Sequence, residues 1–128
     1  MLIPVSIVIP ICRKEDQTMV WMQLRQEDGH LDGKWEFPGG KWEANELPED
    51  CAKREFLEEV GVEIKQIDYF KTYPFQYSDR SVSIFSYVFL CKEAELKSGS
   101  WTLLNEVDLS KIPEANHQLI EDLKRTFN

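Results

Sequence analysis

The chain is 128 residues long, which fits one domain, and 42% of its residues are hydrophobic, enough to form a core. Its 23 acidic and 15 basic residues give a formal net charge of −8, which argues against a broad basic surface for duplex nucleic acid. No stretch approaches the roughly 20 apolar residues of a membrane-spanning helix. We therefore expect a single domain, 1–128, that binds neither duplex nucleic acid nor membrane.

The three cysteines, Cys12, Cys51 and Cys91, lie far apart and include no C-x-x-C pair. Their odd number and spacing predict neither a disulfide framework nor a zinc site, and favour a reducing, cytoplasmic environment. The apolar N-terminal segment has no basic residue before Arg13 and is interrupted by two prolines. A signal peptide is therefore not expected.

The first third of the chain has the pattern of strands joined by turns. Residues 5–11 and 19–25 are rich in β-branched and large apolar residues, which predicts two strands with a polar turn between them. A loop is expected at 26–33, and a short strand at 35–37 is ended by Pro38 and two glycines. Glycine at that point would let the backbone approach a metal or a phosphate closely.

A helix is predicted over residues 49–60, with Pro48 in its first turn and Gly61 as its C-terminal cap. Leu47 is a poor N-cap, because its side chain has no oxygen to accept a backbone hydrogen bond. At about 100° per residue, apolar residues fall on one side of this helix and three glutamates on the other. They are Ala52, Phe56, Leu57 and Val60 on the first side and Glu55, Glu58 and Glu59 on the second.

The glutamates of this helix repel one another, since like charges three or four residues apart destabilise an isolated helix by roughly 0.2–0.5 kcal/mol per pair. A solvated acidic surface is one explanation. However, Lys53 and Arg54 are the only cations of the helix, so it lacks the alternating signs of an ordinary exposed helix. A divalent cation with oxygen ligands relieves the repulsion, and Mg²⁺ is usually held by carboxylates and substrate phosphates. The spacing therefore predicts a metal site.

The second half of the chain predicts three more strands and a closing helix. The strands are expected at 62–72, 82–91 and 101–103, with a polar loop at 93–100. The helix is expected at 113–127, because apolar residues recur there at helical spacing. Its core stripe consists of Leu119, Ile120, Leu123 and Phe127.

The acidic helix is part of a longer motif. The motif reads glycine, five residues, glutamate, seven residues, arginine-glutamate, an apolar residue, any residue, two glutamates, any residue, glycine and an apolar residue. Its specified polar and glycine positions are Gly40, Glu46, Arg54, Glu55, Glu58, Glu59 and Gly61. This pattern is the Nudix box, and the chain resembles the Nudix hydrolases, within them the MutT type. Residues 34–41 and 112–116 are also similar to MutT-like segments, so the resemblance covers essentially the whole chain.

The resemblance implies an α/β protein with the Nudix fold, a three-layer α/β/α sandwich around a mixed β-sheet. It also implies that Mg²⁺, with Mn²⁺ as a substitute, is the cofactor. The implied ligands are the main-chain oxygen of Gly39 and the carboxylates of Glu55, Glu58 and Glu59. The helical spacing of the glutamates supports this assignment independently.

Three residues around these ligands have expected supporting roles. Arg54 precedes Glu58 by one helical turn and would orient the carboxylates, the alternative being an ordinary helix salt bridge. Glu46 is expected to brace the loop before the helix rather than to touch the metal. Lys41 either meets substrate phosphate or caps that loop.

The resemblance also implies one carboxylate outside the helix, on the loop before the last short strand. Glu95 occupies that position, as a metal ligand or as the proton acceptor for the attacking water. Glu93 is the close alternative, and an exposed loop glutamate without such a role is the other reading.

By resemblance, four residues contact the nucleotide: Arg25, Phe37, Arg80 and Asn116. Asn116 would read the base edge, because its amide both donates and accepts hydrogen bonds and can pair bidentately with a purine. The alternative for Asn116 is a cap in the first turn of the last helix. Phe37 is alternatively a core residue.

The expected function is metal-dependent hydrolysis of a nucleoside triphosphate to monophosphate and pyrophosphate, with 8-oxo-dGTP as the substrate of a MutT-like enzyme. Another nucleotide, such as CTP or dCTP, or the 5′-triphosphate end of RNA is the alternative substrate. A Nudix-fold sensor that binds nucleotide without cleaving it is the alternative class, but such modules typically lose box carboxylates. We expect a monomer or homodimer whose partner is a nucleotide with a divalent metal.

Overall fold

The computed structural model describes residues 2–25 and 33–127, so most of the loop predicted at 26–33 lies outside the described residues. The fold is α/β, with a mixed sheet and two α-helices in the part of the chain that the structure describes. None of the described helices is long and apolar enough to cross a membrane.

The regular elements follow one another from an N-terminal hairpin to a C-terminal helix. In chain order they are β1 (Leu2–Lys14), β2 (Gln17–Leu24), β3 (Trp35–Glu36), β4 (Gly39–Lys41), α1 (Pro48–Val60), β5 (Asp68–Gln76), β6 (Ser81–Leu90), β7 (Ser100–Leu103) and α2 (His117–Phe127). Short 3₁₀ turns lie at Glu93–Glu95, Leu104–Glu106, Leu109–Lys111 and Glu114–Asn116.

The chain divides into two compact units, of which the first comprises residues 1–9 and 38–89. In this unit the first part of β1 pairs antiparallel with β4, so that Ser6 lies opposite Gly40. Strand β6 is also a neighbour of β1, and β5 pairs antiparallel with β6. The core of the unit contains fully buried residues of β1 and α1, among them Val8, Ala52 and Phe56.

The second unit comprises residues 10–37 and 90–128. Here the second part of β1 forms a hairpin with β2, and β2 also pairs antiparallel with β3 and β7. The amphipathic pattern predicted for the last helix is confirmed, because Leu119, Ile120 and Leu123 are fully buried. The regular α-helix begins at His117, after a 3₁₀ turn, rather than at residue 113.

Helix α1 begins and ends as the sequence predicts. Leu47 provides no side-chain cap, Pro48 occupies the first turn, and Gly61 adopts the left-handed conformation at φ 80° while donating its N–H to Leu57 O. The prediction that Leu57 faces the core is wrong, since 47% of the residue is exposed. Cys51 is buried instead. The buried side of the helix therefore includes Cys51 and does not include Leu57.

Two strand predictions also need correction. Residues 39–41 form β4, although two glycines were expected only to end the preceding strand. Conversely, the strand predicted at 62–72 begins only at Asp68. Ile64 and Ile67 are buried but lie in irregular backbone, so burial of β-branched residues alone does not make a strand.

Candidate functional site

The carboxylates of α1 contact the two glycines of β4, within the first unit. The Gly39 N–H donates to Glu59 Oε2 at 3.0 Å. A Cβ added to Gly40 would lie 2.5 Å from the Glu55 carboxylate, and one added to Gly39 would lie 2.3 Å from Ser6 O. A side chain on Gly39 would therefore clash with the backbone of β1, and one on Gly40 would displace the Glu55 carboxylate. The box glycine is needed here because of this contact, not because of its backbone angles.

Arg54 donates hydrogen bonds to three glutamates and forms an ion pair of 3.3 Å with a fourth, Glu43. Its Nε and Nη2 donate to the two oxygens of Glu46 at 2.7 and 3.0 Å, and its Nη1 donates to Glu55 Oε1 at 3.0 Å and Glu58 Oε1 at 3.2 Å. Its Nη2 also donates to Lys41 O at 3.1 Å. A planar guanidinium can satisfy all of these acceptors together, whereas a lysine could not. These contacts are those expected of a residue that orients the carboxylates.

Glu46 is fixed from two sides. Besides its bidentate pair with Arg54, it accepts a hydrogen bond from the Glu43 N–H at 2.9 Å, which closes the turn in which Asn45 has a φ of 63°. The hydrogen bond from Arg54 lowers the pKa of Glu46 to about 2, and the same hydrogen bond raises the pKa of Arg54. Glu46 therefore stays ionised at neutral pH and has the contacts expected of a loop brace.

The two candidate loop carboxylates, Glu95 and Glu93, belong to the second unit. Glu95 is exposed, and its Oε2 accepts the Lys92 N–H at 2.6 Å, within its own 3₁₀ turn. Glu93 instead forms an ion pair of 2.8 Å with Lys14. The catalytic role expected of Glu95 stays a prediction.

The residues expected to contact nucleotide have different surroundings. In the second unit, Arg25 Nη1 donates to Glu36 Oε2 at 2.9 Å, and Phe37 is buried. In the first unit, the Arg80 guanidinium lies 4.6 Å from the centre of the Tyr77 ring and pairs with Asp79.

Asn116 ends the 3₁₀ turn before α2 and is partly exposed. Its main-chain N–H donates to Pro113 O at 2.9 Å. Among residues 2–25 and 33–127, its side-chain amide makes no hydrogen bond, so the capping contact proposed as the alternative is not formed there.

Some contacts beside the box were not indicated by the motif. Ser6 and Trp42 form a partly buried hydrogen-bond chain to Pro48, and the Cys51 thiol lies 3.4 Å from Gly40 O. Burial raises the pKa of Cys51 to about 11, so this thiol is not a nucleophile at neutral pH. The only sequence signal for Ser6 is a small polar residue inside an apolar strand.

The donor set at α1 suits a hard divalent cation. Three glutamates and the Gly39 carbonyl provide only oxygen, the ligand type of Mg²⁺ and Mn²⁺. Because Gly39 and Gly40 have no side chains, the β4 backbone lies directly against the carboxylates of Glu59 and Glu55. Within the described residues no three acidic, His or Cys side chains converge closely enough to hold a metal. Arg54 donates to Glu55, and the Gly39 N–H donates to Glu59.

The fold and this carboxylate helix define a class of hydrolases that cleave phosphoric anhydrides. The family model described as "NUDIX domain" matches residues 2–123, and the chain belongs to this family. It is therefore a Nudix hydrolase, as the box predicts.

Two curated relatives and one solved structure illustrate the likeness. The chain is 31% identical over 125 residues to the 8-oxo-dGTP diphosphatase of Escherichia coli K12, covering 94% of this chain and 96% of the relative. It is 32% identical over 111 residues to the Haemophilus influenzae protein of the same name, covering 81% and 80%. A structure reported for MutT from Aliivibrio salmonicida and Vibrio cholerae is 25% identical with a TM-score of 0.66, covering 94% of each chain.

Proposed function

We propose that this enzyme hydrolyses a nucleoside triphosphate to a monophosphate and pyrophosphate with Mg²⁺, and that its substrate is 8-oxo-dGTP. The observation that carries the proposal is the set of three glutamates on α1, two of which, Glu55 and Glu59, lie against the Gly39–Gly40 backbone. The near full-length likeness to relatives named 8-oxo-dGTP diphosphatase supports the choice of substrate. The proposed role is removal of oxidised nucleotide from the cytoplasmic pool, which would protect DNA.

The residues of α1 would hold the cation. Glu55, Glu58, Glu59 and the Gly39 carbonyl are the proposed ligands. The bound ion would neutralise charge on the phosphate oxygens, which is what anhydride cleavage requires. Arg54 would keep two of these carboxylates in place, and Glu46 would keep Arg54 in place, as their 2.7 Å contact indicates.

Glu95 is the proposed proton acceptor for the attacking water. Among the residues that the structure describes, its exposed carboxylate accepts one hydrogen bond, from a main-chain N–H, which leaves acceptor capacity on both oxygens. Glu93 is the weaker candidate, because its ion pair with Lys14 would have to break first.

Base recognition is assigned to Asn116, with Arg25, Phe37 and Arg80 as further contacts. The Asn116 amide is free of hydrogen bonds within the described ranges, so a purine edge would not have to displace a partner. Lys41 is exposed on β4 and would meet substrate phosphate.

A hydrolysis screen tests the proposal. The panel contains 8-oxo-dGTP, dGTP, CTP, dCTP and a 5′-triphosphorylated RNA, each with Mg²⁺ present or chelated. We expect 8-oxo-dGTP to have the highest kcat/KM, with monophosphate and pyrophosphate as products, and no turnover after chelation. Preference for a pyrimidine or for the RNA end would replace the proposed substrate.

The bond cleaved is tested separately in ¹⁸O-labelled water. Attack at an internal phosphorus leaves pyrophosphate as one product and releases no orthophosphate directly from the triphosphate. Labelled orthophosphate appearing with nucleoside diphosphate would contradict the proposed reaction.

A further inference from the structure

Ser6 is a fully buried polar residue in the middle of an apolar strand. Its hydroxyl donates to Pro48 O at 2.8 Å, and it accepts the indole N–H of Trp42 at 2.9 Å. Pro48 is the first residue of α1, and Trp42 directly follows β4. One hydroxyl therefore links the start of the carboxylate helix to the end of the glycine strand.

Trp42 is itself held by other contacts of the first unit. Its main-chain N–H donates to Pro4 O at 3.2 Å, and its ring packs on Phe85 with centroids 4.9 Å apart. The indole N–H consequently reaches Ser6 from a fixed direction. The ring also contributes aromatic contact that would survive loss of the hydrogen bond.

The backbone of Ser6 contacts the same strand that its side chain helps to fix. Ser6 lies opposite Gly40 in the β1–β4 pairing, and its carbonyl oxygen would be 2.3 Å from a Cβ on Gly39. Ser6 thus bonds α1 through its hydroxyl and packs against β4 through its main chain. The separation of α1 from β4 determines where Glu55 and Glu59 meet the Gly39–Gly40 backbone.

We propose that Ser6 and Trp42 are positioning residues that hold α1 at the distance from β4 at which its carboxylates bind the divalent cation. The inference rests on the metal ligands named under the proposed function, but not on the identity of the nucleotide. Neither residue touches the metal or substrate in this scheme. Both act through the placement of Glu55 and Glu59.

The test measures binding of Mn²⁺ alone, by loss of the free-ion EPR signal, so that no substrate is needed. Ser6→Ala should weaken Mn²⁺ binding about tenfold, the lower range found when groups behind metal ligands are removed. Trp42→Phe keeps the ring and loses only one hydrogen bond, so binding should weaken about threefold. Excess Mg²⁺ should restore most of the turnover of both variants, because the ligands themselves remain.

Ser86→Ala is the matched control. Ser86 is also a fully buried serine of the first unit, and its hydroxyl bonds the Lys71 main chain, at the β5–β6 pairing. Removing it should cost similar stability and leave Mn²⁺ affinity unchanged. Equal weakening in Ser86→Ala and Ser6→Ala would mean general loosening and would overturn the positioning role.

The remaining outcomes also test the positioning role of Ser6 and Trp42. Folded Ser6→Ala with wild-type Mn²⁺ affinity overturns the positioning role while leaving the metal ligands standing. If Ser6→Ala does not fold, the Mn²⁺ affinity of Trp42→Phe tests the positioning role in its place. A wild-type protein that binds no Mn²⁺ overturns the ligand assignment and the positioning role together, whereas a different preferred nucleotide changes only the proposed substrate.

Discussion

Both α-helices bury apolar residues, but they differ in the hydrogen bonds that accompany this burial. Helix α1 is tied to its surroundings by directional hydrogen bonds, from Arg54 to Glu46 and from Ser6 to Pro48. Helix α2 is held by an apolar stripe, represented by Leu119 and Leu123, with no more than 1% of either residue exposed. Apolar burial is roughly proportional to area and tolerates small shifts, whereas hydrogen bonds fail steeply with distance and angle. Substitutions of the polar residues of α1 should therefore change activity, and those in the apolar stripe of α2 should change stability.

The largest effect that this comparison predicts is at Glu59 of α1. Glu59→Gln removes a proposed metal ligand, so kcat should fall by about 10²–10³, the range seen when one strong electrostatic contact is lost. The variant should melt no lower than the wild type without metal, because one repulsive charge is gone. Millimolar Mg²⁺ should raise the melting temperature of the wild type only.

Glu121→Gln is the control on α2, where Glu121 is exposed and pairs with Lys124 at 3.8 Å. Its kcat and its response to Mg²⁺ should match the wild type, because surface ion pairs contribute little. Near-normal turnover of Glu59→Gln would remove Glu59 from the metal ligands.

The second prediction concerns the apolar stripe of α2. Leu123→Ala should lower the free energy of unfolding by about 2–5 kcal/mol, because the residue is fully buried and a cavity remains. The kcat of the folded fraction should change little. Urea unfolding and turnover measured on the same preparation check both parts.

Leu57→Ala on α1 is the matched leucine, and 47% of it is exposed. It should cost less than about 0.5 kcal/mol, as exposed substitutions usually do. A loss as large as that of Leu123→Ala would show that the apolar contacts of α1 extend to its exposed side, and the contrast between the two leucines would fail.

The accuracy of the structure predicted from the sequence also differs between regions of the molecule. Helix α1 was predicted almost to the residue, because its proline, its glycine cap and its box spacing are all local signals. Strand β4 was not predicted, since two glycines have low strand propensity and pair only because β1 lies beside them. Leu57 was placed on the wrong side because it stands at the edge of the apolar sector.

In the candidate site, too, a contact set by local spacing was predicted, whereas contacts between distant residues were not. The contact of Arg54 with Glu58 follows from helical spacing, whereas its contacts with the adjacent Glu55 and with Glu46 were not predicted. The Trp42–Ser6 hydrogen bond joins residues 36 positions apart, so no local pattern could indicate it. Glu95 was placed by counting along a loop, and loop positions carry the weakest signal.

The third prediction tests the turn that precedes α2. If Asn116 reads the oxidised purine, Asn116→Ala should reduce the kcat/KM ratio of 8-oxo-dGTP to dGTP by roughly 10- to 100-fold, the worth of about 1–3 kcal/mol per bidentate pair. Asn116→Asp loses the amide donor but keeps a capping oxygen, so its selectivity should fall as well while its melting temperature stays. If Asn116 is instead a cap, Asn116→Ala should lose about 1 kcal/mol of stability with selectivity intact.

The smallest predicted effect is the pH dependence of the stability that the Arg54–Glu46 pair contributes. Because Arg54 depresses the pKa of Glu46 from 4.5 to about 2 in the folded protein, the ionised pair stabilises the fold fully above pH 4.5. That contribution is lost as the pH falls from 4.5 toward 2, where the folded carboxylate also takes up a proton. The difference in unfolding free energy between the wild type and Glu46→Gln should therefore be constant from pH 7 to about 5.5 and shrink below pH 4.5. Urea unfolding of both proteins at pH 7, 5.5, 4 and 3 measures it. A difference that persists unchanged at pH 3 would mean that Glu46 braces the loop before α1 by shape and neutral hydrogen bonding, and the helix would then depend less on charge than its contacts with Arg54 imply.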